Sequence, residues 1–153
     1  MIRNIRAILL FFVGILIVNA MLAQDYKTAL GVRLSNDQAM INNSISLKHF
    51  LNDRTALDVL FTFSDPVAIG VLVEIHKPIS GTESLKWYYG GGPYVSFGNN
   101  TGFGAQGVLG LDYKFPNIPL NLSLDWKPEL NIVPDINFEP SAIGFAVRFT
   151  FGK

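Results

Sequence analysis

The sequence predicts an all-β fold: an eight-stranded antiparallel up-and-down transmembrane β-barrel after an N-terminal signal peptide. Three observations carry that expectation. From Asp25 onward, apolar residues recur with the period of a strand rather than that of a helix, and turn residues separate the runs. One face of nearly every run is branched or aromatic, while the other is Gly, Ser, Ala and charge. The chain also finishes on IGFAVRFTFGK, alternating almost to its last residue, where chain ends are usually frayed and polar.

The signal peptide is read over residues 1–23. Arg3 and Arg6 precede a continuous apolar run from Ala7 to Val18, and Ala20 and Ala23 then supply small residues before Gln24. That is the order of charged, apolar and cleavage regions in an export signal. The apolar run is shorter than the roughly 20 residues a spanning helix needs. Cleavage after Ala20 and after Ala23 both remain open, and residues 24–153 form the exported domain.

Eight runs follow. Tyr26 to Leu34 sets Tyr26, Leu30, Val32 and Leu34 against Lys27, Ala29, Gly31 and Arg33. Ser44 to Leu51 opposes Ile45 and Leu47 to Ser44, Ser46 and Lys48. In the third, Leu57, Val59, Phe61 and Phe63 oppose Asp58 and Thr62; in the fourth, Val67, Ile69, Val71, Val73 and Ile75 oppose Ala68, Gly70, Glu74 and His76. The fifth, Leu85 to Phe97, is broken by Gly90, Gly91, Gly92 and Pro93, which predicts a bulge or kink. The sixth places Leu109, Leu111, Tyr113 and Phe115 opposite Gln106, Gly110, Asp112 and Lys114. The seventh places Leu120, Leu122, Leu124 and Trp126 opposite Asn121, Ser123, Asp125 and Lys127. The eighth sets Ile143, Phe145, Val147, Phe149 and Phe151 against Gly144, Ala146, Arg148 and Thr150.

Alternation alone does not say which face points inward. The polar face carries charge deep within the runs (Arg33, Lys48, Asp58, Glu74, Asp112, Asp125, Lys127, Arg148) in the company of Gly31, Gly70, Gly104, Gly110, Gly144 and Ala146. Small residues relieve crowding in a narrow barrel, and balanced charges pair within it, so this face is expected inside. The aromatics sort by depth. Tyr26, Phe50, Trp87, Tyr89, Tyr113, Phe115, Phe149 and Phe151 fall near the rim that bears the termini; Phe61, Phe63, Phe97, Phe103 and Trp126 fall toward the other. Two aromatic girdles around an aliphatic belt match the interfaces of an outer-membrane barrel. Asn52-Asp53, Pro78 to Ser84 and Pro116 to Pro119 are read as turns at the first rim. Ser35 to Asn43, Ser64 to Pro66, Gly98 to Gly102 and the irregular stretch Asn131 to Ser141 are read as loops at the second.

On these features, together with the KHFLND turn and the IPLNLSLDWKPEL strand, the exported domain resembles the small OmpA/OmpX-like outer-membrane barrels of Gram-negative bacteria. The resemblance implies a cell-outer-membrane location among outer-membrane lipids. It also implies a final strand read by the barrel assembly machinery, through Gly144, Phe145, Val147, Phe149 and Phe151.

Composition narrows the function classes. Twelve Lys and Arg balance twelve Asp and Glu without clusters, which argues against nucleic acid as a partner. There is no cysteine, so thiol chemistry and disulfides are excluded. Only 16% of residues are charged and the mean hydropathy is +0.30, very apolar for a chain with no long buried helix.

No catalytic, cofactor-binding or metal-binding residues are assigned. His49 and His76 are the candidates for proton transfer near neutral pH, with Ser46 or Asp58 as conceivable partners. No ligand spacing for a metal is apparent, and the Gly90 to Gly92 run has no helix after it to make a phosphate loop. The expectation is a non-enzymatic monomeric barrel with a side-chain-plugged lumen, a structural or surface-interaction role, and residues 131–141 as the contact loop for an extracellular ligand. A lipid A-modifying enzyme is one alternative, and a soluble secreted barrel around an apolar ligand is another.

Overall fold

The computed structural model describes residues 26–36, 39–64, 66–82, 84–98 and 101–152. The signal-peptide reading of residues 1–23 lies outside them. The described chain is all β: β1 (Thr28–Ser35), β2 (Ser44–Phe50), β3 (Thr55–Thr62), β4 (Val67–Pro78), β5 (Leu85–Phe97), β6 (Gly102–Lys114), β7 (Leu120–Trp126), β8 (Glu129–Val133), β9 (Asn137–Glu139) and β10 (Ile143–Phe151).

These ten segments make eight walls. β7 and β8 both pair with β6 in nearly one register and together form the seventh, interrupted at Lys127-Pro128, where proline has no amide to donate. β9 and β10 form the eighth, pairing with β8 and β7 in turn. Antiparallel pairing of β1 with β10, from Thr28↔Phe151 to Ser35↔Gly144, joins the ends and leaves a closed barrel. The closing strand answers the question its composition raises: its terminus is ordered because the barrel needs it as an edge partner.

The stagger sets the width. A paired row that leaves β1 at Thr28 passes His49, Leu57, Val73, Gly91 and Gly107. Carried across the seventh and eighth walls in their own registers, it returns to β1 ten positions beyond Thr28. Ten residues of stagger over eight strands tilt the strands by roughly 40° and give a backbone radius of roughly 8 Å, a lumen that side chains fill.

Glycines make room for the largest of them. A Cβ on Gly110 would stand 2.7 Å from the Tyr88 ring, and one on Gly104 would stand 2.5 Å from that of Tyr94. Each tyrosine therefore lies flat across its pairing partner on the next strand. Gly90 to Pro93, expected to bulge, keeps one register with both neighbours. The register shift falls instead between Phe103 and Gly104, opposite β8.

The turns at the terminus-bearing rim are as the sequence indicated, while the other rim differs from expectation in two places. Residues 131–141 are mostly not irregular: Asn131 to Val133 belong to β8 and Asn137 to Glu139 to β9, a hairpin extending the wall. The β1–β2 connection does not lie over the mouth as an open loop. It turns inward, with Ala39 and Ile41 fully covered, and Ile41 packs with Leu60, Leu72, Tyr88, Tyr94 and Val108. The walls are unequal in height as well. β4, β5 and β6 run 12, 13 and 13 residues, against 8, 7 and 8 for β1, β2 and β3.

Candidate functional site: an ion-paired lumen inside an apolar wall

The inward set predicted from parity is the inward set observed. Arg33, Lys48, Asp58, Glu74, Asp112, Asp125, Lys127 and Arg148 are all buried in the lumen. Their outward neighbours are exposed: Leu34, Leu124 and Phe149 each show about half their surface.

Near the terminus-bearing rim, the Arg148 guanidinium is the hub. Nε donates to Ser46 Oγ at 2.7 Å, Nη1 to Ser123 Oγ at 2.7 Å and to Asn121 Oδ1 at 3.2 Å, and Nη2 to Asp58 Oδ2 at 3.1 Å. Ser46 in turn donates to Asp58 Oδ1 at 2.6 Å. The Asn121 amide, held by the same hub, donates to Asp112 Oδ1 at 2.9 Å, and the Tyr26 hydroxyl donates to Asp112 Oδ2. Lys48 pairs with Glu74 at 2.8 Å, lies 3.8 Å from Asp112 and stands over the Tyr88 ring at 4.5 Å. His76 Nε2 is 2.9 Å from Glu74 Oε2, with its ring between Phe50 and Tyr88, each at 4.8 Å.

Toward the other mouth the lumen holds two more pairs. Arg33 bonds both Asp125 oxygens, at 3.0 and 2.5 Å. Lys127 bonds Glu129 at 2.6 Å and Gln106 Oε1 at 3.1 Å. Glu129 also accepts the backbone amides of Met40 at 2.6 Å and Ile41 at 3.0 Å, and these bonds hold the β1–β2 connection inside. Buried charges demand partners and saturated hydrogen bonds, and here each carboxylate has at least one cation or donor.

Two aromatic placements depart from the sequence reading. Tyr26 precedes β1 and points inward onto Asp112. Phe50 shares the parity of Lys48 and packs edge-on against Tyr26 at 5.2 Å and against His76. Neither belongs to the outer girdle. Tyr89, Tyr113, Phe149 and Phe151 do face outward near that rim, and Phe61, Phe63, Phe97, Phe103 and Trp126 do so toward the other.

Among the described residues, neither histidine candidate hydrogen-bonds its conceivable partners Ser46 and Asp58. Ser46 is committed to Arg148 and Asp58, His76 to Glu74, and His49, half-buried in β2, contacts Thr28 Oγ1 at 2.8 Å. The inward loop and its Glu129 latch were missed by sequence reasoning. The available signal was Pro128, which marks an interruption, together with the apolar Ala39-Met40-Ile41 in a connection read only as a loop.

No family model matches the chain, and no curated protein is similar to it.

Proposed function

We propose that this protein is an integral barrel of the cell outer membrane of the Gram-negative, OmpA/OmpX-like kind, exported by its N-terminal segment. Its role is structural or surface-interacting, without catalysis, and its lumen is plugged by its own side chains. The observation that carries the reading is the inversion of polarity. The eight charged side chains that parity turns inward, and Glu129 with them, are sealed in the lumen while Leu, Val, Ile and Phe cover the outside of every wall. In water such a surface is an aggregation hazard, because apolar patches beyond a few hundred Å² are rare on soluble monomers. In a bilayer the same surface is the solvated one, and a closed barrel leaves no backbone edge in the hydrocarbon.

A soluble barrel around an apolar ligand would reverse the two faces; here ion pairs and tyrosines occupy the space a ligand would need. The final strand, with Gly144, Phe145, Val147, Phe149 and Phe151, is the proposed recognition element for the assembly machinery, and the β8–β9 hairpin within 131–141 is the proposed surface-contact element.

Cell fractionation with gel migration tests the reading. The protein is expected in the outer-membrane fraction, released only by detergent, with unboiled and boiled samples migrating differently. Recovery in the soluble periplasm without detergent would refute it.

A further inference from the structure

We infer that the outer wall of β5, β6, β7 and β10 holds one anionic membrane phospholipid, with an acyl chain in an apolar groove and the phosphate at Lys77. This rests on the outer-membrane reading proposed above and names the lipid class and the place that takes it.

The outer wall is not evenly convex. It carries a groove of about 460 Å³ lined by Trp87, Leu109, Leu111, Leu124, Trp126 and Ile143. Register assembles it. Lys77, Trp87, Leu111 and Leu124 stand in one paired row across the strands, and Tyr89, Leu109, Trp126 and Ile143 stand in the next. All face outward, because the residues that alternate with them, Tyr88, Asp112 and Asp125 among them, are buried in the lumen. The two indoles stand about 12 Å apart with the shorter leucines between them, and that difference in height makes the hollow. Both rings are held: Trp126 Nε1 donates to the Pro140 carbonyl at 2.6 Å, and Trp87 leans on Tyr89 with centroids 5.5 Å apart.

The strand tilt gives the groove a direction. The row that begins at Lys77 climbs from the terminus-bearing rim by roughly 3 Å per strand, so Leu124 lies roughly 9 Å nearer the middle of the wall. A hollow that opens at the rim and rises into the apolar belt has the course of an acyl chain in one leaflet. Its low end is charged. Lys77 is exposed, with Nζ 5.6 Å from the centroid of Trp87 and 5.7 Å from that of Tyr89, so two aromatic faces keep the ammonium beside the groove. Among the described residues no carboxylate pairs with Lys77, and Asp125, the acid along the groove, turns its carboxylate inward to Arg33. A lipid phosphate supplies the missing anion. A zwitterionic headgroup would bring a second cation close to Lys77, which an anionic one does not, so the site favours the anionic lipid.

The protein's two tryptophans both line the groove, so their fluorescence reports on it. The test places the intact barrel in phosphatidylcholine bilayers and adds small fractions of phosphatidylglycerol or phosphatidylcholine with brominated chains, which quench indoles on contact. Brominated phosphatidylglycerol is expected to quench with saturation, reaching half its effect at a mole fraction about fivefold lower than brominated phosphatidylcholine. Lys77→Gln is expected to abolish that preference and Lys77→Arg to keep it, while Leu124→Phe, which narrows the groove, should remove the saturating step. Equal quenching by the two lipids, or a preference undiminished in Lys77→Gln, would overturn the inference and leave the membrane reading standing. So would quenching that falls as the protein is concentrated in the bilayer, because a second barrel would then occupy the groove. Quenching by neither lipid would overturn the membrane reading and this site together.

Discussion

Near the terminus-bearing rim, every member of the Arg148 hub, except Tyr26, stands on a strand. Near the opposite mouth, Glu129 also stands on a strand, but it holds the backbone of a connection, Met40 and Ile41. The first network is fixed by register: Lys48 faces Asp58 and Arg148 faces Asn121 because the walls pair as they do. The second depends on a loop folding into space left by short walls. One lumen therefore holds a part that cannot rearrange without breaking the barrel and a part that can detach while the barrel persists.

The largest effect is expected from breaking the first part. Arg148→Leu leaves the Asp58 carboxylate buried with only Ser46 and strands the acceptors of Asn121 and Ser123. Removing one partner of a buried pair costs about 3–5 kcal/mol. Unfolding in detergent should shift by that amount, or the heat-resistant band should vanish. The double variant Arg148→Leu with Asp58→Leu removes both charges and is expected to recover much of the loss. If the single variant is as stable as the parent, the hub is not a structural element.

Next in size is a charge on the outside. Leu124→Arg, in the middle of β7 and half exposed, should cost about 2–4 kcal/mol if that face meets hydrocarbon, measured by reversible folding into bilayers. In a water-exposed wall the same change would be neutral, so the variant tests the bilayer reading directly.

The mouth should respond less and locally. Glu129→Gln keeps the shape but loses the charge that Lys127 and two amides share, a cost of about 1–3 kcal/mol. Hydrogen exchange at Met40 and Ile41 should rise while amides of β2, β3 and β10 near the other rim stay protected. If both regions loosen together, the two networks are one unit.

This contrast also explains what the sequence made legible. Parity is set by the pleat and propagates through register, so alternation placed the eight lumen charges it named and all of β10 correctly. Tyr26 escaped because it lies before β1 begins, where alternation no longer binds. Phe50 was read by its depth although its own parity, two after Lys48, pointed inward. The inward loop was illegible for a deeper reason. Its fold depends on wall heights that emerge only when all eight strands are paired, and no local pattern around Ala39 to Ile41 encodes the position of Glu129. The irregularity of the seventh and eighth walls was half legible: Pro128 and Pro140 announce interruptions, but not that strands resume as β8 and β9.

The smallest effect belongs to the joint between the two regions. Trp126 lies at the end of β7, its indole Nε1 donating to the Pro140 carbonyl at 2.6 Å across the gap between β9 and β10. That bond ties the far end of the hairpin to β7, beside the Lys127 amide on the Ala142 carbonyl at 2.7 Å, while β8 is held by β6. Trp126→Phe keeps the ring and deletes the donor, and an exposed hydrogen bond of this kind contributes about 0.5–1.5 kcal/mol. Global unfolding should hardly move, and Glu129 should still hold Met40 and Ile41. Exchange at 137–139 should quicken, because Pro140, the residue that follows β9, loses its tie to β7. Unchanged exchange there would mean that pairing with β8 suffices, and that the hairpin belongs with the register-fixed wall rather than with the detachable mouth.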